Sequence, residues 1–248
     1  MIFNKFFILF KIGRKIGKSN IINIVSETHK IPIFIKIFFN LLAFSFSSSN
    51  NTKSKGKENL SESIQEMGTT FIKLGQFLAT RPDIIGEKLS KELESLQDKL
   101  PPFSKKEAEK IIIENLGQSN FDDIIDLSEP IAAASIAQVH KAKIKEDNII
   151  KNVAIKVLRP NIKKIFNDEI DAIMLLAYIV ESLISKTKRL KLIEVVFLFK
   201  EITNHEMDLR FEAAAANEYA ENTKNDLGFF VPKIYWNFTS ESVLTLDW

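Results

Sequence analysis

The stretch that decides the fold is Pro130-Ile-Ala-Ala-Ala-Ser-Ile-Ala-Gln-Val-His140, followed after a polar bend by Val153-Ala-Ile-Lys-Val-Leu-Arg-Pro160. After three alanines, two side-chain phases alternate from Ile136 to Lys141, which predicts a β-strand. Residues 145–152 are mostly polar and predict the turn of a hairpin. Residues 153–158 are rich in β-branched side chains and predict a second strand, with Lys156 as its one charged residue.

A tight loop of small residues between two strands, with a lysine on the second strand, is how protein kinases hold the phosphates of ATP. Small side chains let backbone N–H groups approach the phosphates, and the lysine neutralises part of their charge. We therefore expect a nucleotide site here. Its candidate residues are the loop with the start of the strand and the strand lysine: Ile131, Ala132, Ala133, Ala134, Ser135, Ile136, Ala137, Gln138, Val139 and Lys156.

The alanine-rich run followed by Val-Ala-Ile-Lys156 resembles the UbiB/aarF group of atypical protein-kinase-like proteins, which are tied to ubiquinone biosynthesis. In that group alanines stand where ordinary kinases carry glycines. The resemblance runs from about Leu60 to Trp248, and more weakly through the N-terminus. It implies an α+β fold: a protein-kinase-like small lobe, with a small antiparallel sheet and long helices, preceded by an α-helical extension.

Two further motifs extend the resemblance. Lys73-Leu-Gly75-Gln76 resembles the Lys-x-Gly-Gln signature of the family's N-terminal extension, which covers the active-site cleft, and Gly75 would allow close backbone approach. Glu206-Met-Asp208 resembles its Glu-x-Asp motif. From spacing alone, the more ordinary interpretation of the first motif is a core helix with an incidental lysine. The more ordinary interpretation of the second motif is a charged helix face in contact with solvent.

The resemblance also assigns partners to the two lysines. Glu212 is similar in position to the glutamate of kinase helix αC, so it would pair with Lys156 and orient it, while Glu206 would meet Lys73. A lysine placed beside phosphates needs an accompanying carboxylate. Two lysines and two glutamates form a neutral set before a nucleotide binds.

The N-terminal part is strongly basic. Residues 1–57 contain ten lysines and arginines against one acid, Glu27, while the whole chain has a net charge of +2. Residues 1–18 have the pattern of a basic amphipathic helix, which suits a bilayer interface. A helix docked on the protein's own core and a mitochondrial-type presequence are the alternatives. A second apolar block, 31–46, is shorter than the roughly 20 residues that a spanning helix needs.

The remaining pattern is mostly helical. Helices are predicted at 60–80, 84–100, 105–116, about 162–186 and 192–222, with a capping box of Ser104 and Glu107 at the third. Short strands are predicted at 229–236 and 242–248. The family resemblance implies that the second strand leads into the hinge that touches adenine, so Asp247 would lie at that hinge. We divide the chain into a membrane-associating head with linker (1–57), a helical extension (58–128) and a kinase small lobe (129–248).

The expected cofactor is ATP or ADP. The family's catalytic-loop and metal-binding residues belong to a large lobe, so we expect Mg²⁺ only with that lobe, and no turnover by this chain alone. The chain is expected to be a fragment, the product of a split reading frame, or half of a two-chain protein, with a large-lobe chain or ubiquinone-biosynthesis proteins as partners. No nucleic-acid partner is expected. The chain has no cysteine, and the spacing of His29, His140 and His205 is no metal signature.

The expected location is peripheral, on the cytoplasmic face of an inner membrane. The alternative function is a non-catalytic regulatory module that binds lipid or quinone, with the basic head on the membrane.

Overall fold

The computed structural model describes residues 2–18, 21–22, 60–96 and 100–248. The apolar block at 31–46, most of the linker and His29 lie outside these residues. The α-helices, in chain order, are α1 (Ile2–Lys18), α2 (Leu60–Met67), α3 (Thr69–Ala79), α4 (Pro82–Ile85), α5 (Glu87–Glu94), α6 (Lys105–Leu116), α7 (Gln118–Asp122), α8 (Ile162–Leu183), α9 (Leu192–Glu206) and α10 (Leu209–Thr223). The strands are β1 (Ile124–Ile125), β2 (Pro130–Ala133), β3 (Ala137–Glu146), β4 (Ile149–Leu158) and β5 (Val243–Asp247), and short 3₁₀ helices span Ser185–Leu190 and Trp236–Phe238.

The chain divides into two compact units. The first comprises Met1–Asp98 and Lys164–Lys200, and the second comprises Lys99–Lys163 and Glu201–Trp248. Helix predominates in the first unit, whereas the second contains all five described strands. This combination of a small antiparallel sheet with long helices is the α+β class that the sequence predicted.

In the first unit, α1 packs on the core of its own protein. Ile12 is buried with Met67, Phe71 and Ala172. Lys15 Nζ donates a hydrogen bond to the carbonyl oxygen of Met67 at 2.8 Å. Other α1 residues that pack against this cluster are Ile8, Leu9 and Ile16. The structure therefore shows this isoleucine-bearing face of α1 docked on the protein's own core, which the sequence analysis gave as an alternative.

The helix predicted over 60–80 is interrupted, so that prediction was wrong in its continuity. Gly68 separates α2 from α3 with φ 99° and ψ −176°. That backbone conformation is open to glycine and strained for other residues. The Gly68 carbonyl oxygen then accepts hydrogen bonds from the N–H groups of Phe71 and Ile72, and these bonds begin α3.

The second unit is built on an antiparallel sheet in the order β1-β3-β4-β5, with β2 also paired to β3. The β3–β4 ladder is in register from Ala137↔Leu158 to Glu146↔Ile149. The turn is only Asp147 and Asn148, whose φ values of 51° and 60° match a type I′ turn. The predicted eight-residue turn was too long, because residues 145–146 still belong to β3 and residues 149–152 already belong to β4.

One face of the sheet covers the core of the second unit. Strand residues with a period of two meet α6 and the segment before β5 there: Ile112, Leu127, Ala142, Ile144, Val153, Ile155, Val157, Tyr235, Phe238 and Val243. The capping box at the start of α6 is confirmed, since Ser104 Oγ accepts from Glu107 N and Glu107 Oε2 accepts from Ser104 N.

The strand predicted over 229–236 is not formed. In backbone pairing, this segment is joined to β5 by the isolated bridge Ile234↔Leu246, which consists of two hydrogen bonds: Tyr235 N to the Thr245 carbonyl and Asp247 N to the Lys233 carbonyl. Pro232 has no N–H to donate, which weakens any ladder at that point. The strand predicted over 242–248 is confirmed as β5.

None of the described helices is both long and apolar enough to pass through a bilayer.

Candidate functional site

The strand lysine and the helix glutamate meet as the sequence predicted. Lys156 Nζ donates to both carboxylate oxygens of Glu212, at 2.9 Å and 2.7 Å. The two side chains are 27% and 50% exposed, so the pair lies at an accessible surface of the second unit. Holding both oxygens fixes the position of the ammonium group more closely than a single contact would.

Glu212 reaches this position because the long helical region ends and restarts. The sequence predicted one helix over 192–222, but α9 ends at Glu206 and α10 begins at Leu209. Asp208 is the N-cap, its side chain accepting from the N–H of Arg210 at 3.1 Å. Glu212 therefore stands in the first turn of α10, where a negative charge is stabilised by the helix dipole.

Arg210 strengthens this cap. Its Nε and Nη2 donate to the two carboxylate oxygens of Asp208 at 2.9 Å and 2.6 Å. These hydrogen bonds hold the pKa of Asp208 below its usual value. The buried residues Met207, Leu209 and Ala213 anchor the same turn. The Glu-x-Asp motif thus ends one helix and caps the next.

Lys156 lies on the face of the sheet opposite the core, and its neighbours there follow from the register. Val139 on β3 and Leu244 on β5 are its cross-strand partners, and Ala154 pairs with Leu246 one step away. Registered partners share a face of an antiparallel sheet. Ala154 and Leu246 were missed in the sequence analysis, although Ala154 has the same two-residue phase as Lys156.

The alanine-rich loop is a narrow turn between β2 and β3. Ala134 N donates to the carbonyl oxygen of Ala137 at 2.8 Å and closes it. Ile131 and Ala132 are exposed, and Ala133 and Ala134 are half-buried. Further along, four consecutive residues are buried: Ser135, Ile136, Ala137 and Gln138. The accessible part of the predicted loop is therefore its β2 side.

Gln138 and Asp247 point away from Lys156. Gln138 is 1% exposed and bonds to the backbone of Phe103. Asp247 pairs with Val153, on the core face, and Tyr235 Oη donates to its Oδ1 at 2.5 Å. Burial, followed by this carboxylate, raises the pKa of Tyr235 well above its usual value. Any contact of these two residues with a nucleotide would have to use their backbone groups.

The Lys-x-Gly-Gln motif lies on α3 in the first unit, with Lys73 and Gln76 half-buried. A Cβ atom on Gly75 would stand 2.6 Å from Leu96 Cδ2 and 3.4 Å from Ile64 Cγ2, so this position does allow close packing. Glu206 belongs to the second unit. The predicted pairing of Lys73 with Glu206 stays a prediction.

The part of the chain that the structure describes holds no group of three or more histidine, aspartate or glutamate side chains arranged for a metal ion. His140 is fully buried and hydrogen-bonded on the core face, as a structural histidine would be.

Comparison with known proteins gives consistent matches. Residues 95–248 match the family of the ABC1 atypical kinase-like domain. The chain is similar to the probable protein kinase UbiB of Marinobacter nauticus, with 35% identity over 219 residues that cover 88% of this chain and 39% of that protein. It is similar to the proteins of the same name from Pseudomonas paraeruginosa, at 31% identity over 96% of this chain and 44% of the relative, and from Cellvibrio japonicus, at 34% identity over 88% and 39%. The chain thus spans less than half the length of these relatives.

Proposed function

Because the chain belongs to the ABC1 atypical kinase-like family, we propose that it is the nucleotide-binding part of a UbiB-type protein that supports ubiquinone biosynthesis. The proposed ligand is ATP or ADP. It would lie on the face of the sheet that carries Lys156, with its phosphates beneath the alanine-rich loop.

The observation that carries this proposal is the two-oxygen contact between Lys156 and Glu212. A partly exposed ion pair contributes only about 0 to 1 kcal/mol to stability, so folding alone gives little reason for it. Its effect is to hold a cation at a fixed point beside a loop of small residues. Phosphate oxygens are the ligands that such a cation favours.

The rest of the face suits the other parts of a nucleotide. Val139, Ala154 and Leu246 are half-buried and give an apolar surface next to the cation. A purine ring would pack on it, and the small Ala154 side chain would leave room for the ring. Among the described residues, no cluster of three or more histidine, aspartate or glutamate side chains is arranged to hold Mg²⁺.

The test is nucleotide protection against thermal unfolding of the 248-residue chain. ADP at about 100 times its Kd should add about 2.7 kcal/mol to the free energy of unfolding. Lys156→Ala should abolish this gain, and Glu212→Gln should reduce it. Lys143→Ala is the matched control, because Lys143 is a β3 lysine with its own ion-pair partner, Asp126, at 2.7 Å. Equal protection of wild type and Lys156→Ala would contradict the proposal.

We also propose that the protein attaches peripherally to a membrane through α1. The apolar face of α1 that packs inside the first unit cannot contact a membrane. The opposite side of α1 carries aromatic and basic residues together. Phe7 and Phe10 are 58% and 38% exposed, and Lys11 Nζ stands 5.2 Å from the Phe7 ring centroid. Exposed phenylalanines beside cations suit the interface of an anionic bilayer.

A regulatory module that binds lipid or quinone is the second candidate, and one observation favours it. An open groove of about 440 Å³ lies between α1 and α8 in the first unit, and both apolar and charged side chains line it. It is lined by Ile8, Lys11, Ile12, Arg14, Lys15, Ile165, Asp168 and Glu169. Protection from thermal unfolding by a short-chain quinone, unaffected by Lys156→Ala and without any effect of ADP, would favour this candidate over the first.

A further inference from the structure

Arg159, the residue directly after β4, holds the alanine-rich turn from behind. Its Nε and Nη2 both donate to the carbonyl oxygen of Ala134, at 3.0 Å and 2.8 Å. Nη1 donates to the carbonyl oxygen of Pro101 at 3.0 Å, and Nη2 also reaches that of Leu100 at 3.3 Å. One guanidinium thus ties the turn to the segment that precedes α6.

The backbone of the same residue holds the other side of the turn. Arg159 N donates to the carbonyl oxygen of Ile136 at 2.8 Å. Each peptide unit is planar, with its C=O and N–H pointing in opposite directions. Fixing the carbonyl of Ala134 therefore also fixes the direction of the Ser135 N–H.

Gln138 makes a second tie between the turn and the same segment. Phe103 N donates to Gln138 Oε1 at 2.9 Å, and Gln138 Nε2 donates to the carbonyl oxygen of Phe103 at 3.2 Å. The Phe103 ring in turn lies 5.8 Å from the guanidinium carbon of Arg159. The loop is consequently attached to residues 100–103 at both Ala134 and Gln138.

We propose that Arg159 is a positioning residue for nucleotide binding: it holds the alanine-rich turn in the conformation in which the turn can face a phosphate chain. This inference rests on the proposed function, which supplies the nucleotide as the ligand of the turn. Arg159 itself would not touch the nucleotide, since its guanidinium is engaged with the carbonyl oxygens of residues 100, 101 and 134.

The physical reason is that the nucleotide binds only when the turn adopts its binding conformation, and Arg159 raises the fraction of molecules in that conformation. Without the guanidinium, the Ala134 carbonyl loses two charge-assisted hydrogen bonds, and the turn can sample other conformations. Apparent affinity falls by the fraction of time that the competent conformation is populated, so a turn that is correct about a tenth of the time binds about tenfold more weakly. Lysine would replace arginine only in part, because its ammonium keeps the charge but cannot span carbonyls on two segments as the planar fork does.

The experiment measures the Kd of fluorescent mant-ADP and mant-ATP for the 248-residue chain and its variants. Arg159→Gln should raise both Kd values about tenfold, and Arg159→Lys by a smaller factor while folding is kept. Arg189→Gln and Arg189→Lys are the matched controls, because Arg189 is an exposed arginine in the first unit. Amide hydrogen exchange of residues 134–137 is followed in parallel and should accelerate only in the Arg159 variants.

Unchanged Kd values in both Arg159 variants would overturn the inference. So would weaker binding without faster exchange in the turn, because that pattern indicates a direct charge effect. If Arg159→Gln does not fold, Arg159→Lys alone decides between these outcomes. If the wild type itself binds neither nucleotide, the proposed function fails, and the exchange data still show whether Arg159 holds the turn.

Discussion

At the scale of single residues, His140 sits in a chain of hydrogen bonds whose proton positions are fixed by its neighbours. Its Nδ1 faces the carbonyl oxygen of Ser128 at 2.8 Å and must donate to it. Its Nε2 then accepts from Gln138 Nε2 at 2.9 Å. A proton on Nε2 would oppose the Gln138 amide donor. Burial lowers the pKa of His140 from its usual value of 6.5, so the folded protein keeps the neutral ring.

This arrangement predicts a pH dependence of stability. As pH falls below 6.5, the unfolded chain protonates this imidazole while the folded chain does not, so stability is lost. The loss approaches about 1.4 kcal/mol per pH unit until the folded pKa is reached. Urea unfolding between about pH 7.5 and pH 5.5 should show a smaller slope for His140→Gln than for wild type. The exposed His205 provides the control variant His205→Gln, and parallel slopes for wild type and His140→Gln would contradict this account.

Residue roles were only partly visible in the sequence. The pairing of Lys156 with Glu212 could be predicted, because the resemblance supplied a partner for a lysine that needs one. The inward direction of Gln138 was not recognised, although its two-residue phase is that of His140. The role of Arg159 depends on contacts with residues 100, 101 and 134, which are far apart in sequence, so no local pattern could reveal it.

At the scale of elements, the break between α9 and α10 determines where the glutamate of the pair stands. Asp208 both stops the preceding helix and caps the next, and Glu212 follows in the first turn. The residues on both sides are good helix formers, so periodicity suggested one continuous helix. The capping box of α6 could be predicted because Glu107 follows Ser104 by three residues, which is the spacing of that motif. The break at Asp208 has no such second signal.

Asp208→Ala should therefore loosen the start of α10. Loss of an N-cap costs about 1 kcal/mol of stability, within a range of about 0.5 to 2. The same change frees Arg210 from its carboxylate partner and should weaken nucleotide protection through Glu212. Asp208→Asn keeps a capping oxygen and is the control, with a smaller loss in a urea unfolding experiment. Equal stability of the alanine variant and wild type would show that the cap does not hold this helix.

At the scale of the whole molecule, the net charge is distributed unevenly along the chain. Residues 1–57 have a net charge of +9, and the whole chain has a net charge of +2, so the remainder of the chain is acidic. Composition was enough to predict a basic, apolar head. It could not show which face of α1 is buried, because Phe7, Ile8, Phe10 and Ile12 are all apolar. Only packing distinguishes the docked isoleucines from the exposed phenylalanines.

The membrane proposal can therefore be tested without removing α1, which would uncover the core around Ile12. Phe7→Glu with Phe10→Glu should abolish flotation of the chain with vesicles that contain anionic lipid. The control is Ile149→Glu with Ile150→Glu, which changes two residues at the tip of the β3–β4 hairpin that are at least as exposed as the two phenylalanines. Binding should also weaken as salt rises towards about 1 M, where charges are screened beyond about 3 Å. Flotation of the Phe7/Phe10 variant like that of wild type would exclude this face.

The short turn at Asp147 and Asn148 has a practical consequence. The ladder behind it is complete in register, and both turn residues already have left-handed backbone conformations. A loop inserted there would begin and end at two neighbouring strand ends. The entropic cost of closing such a loop grows only slowly with its length. The tip of this hairpin is thus a place where an epitope tag or a dye-labelled peptide could be inserted with little disturbance to the alanine-rich turn, which lies at the opposite end of the β3–β4 ladder.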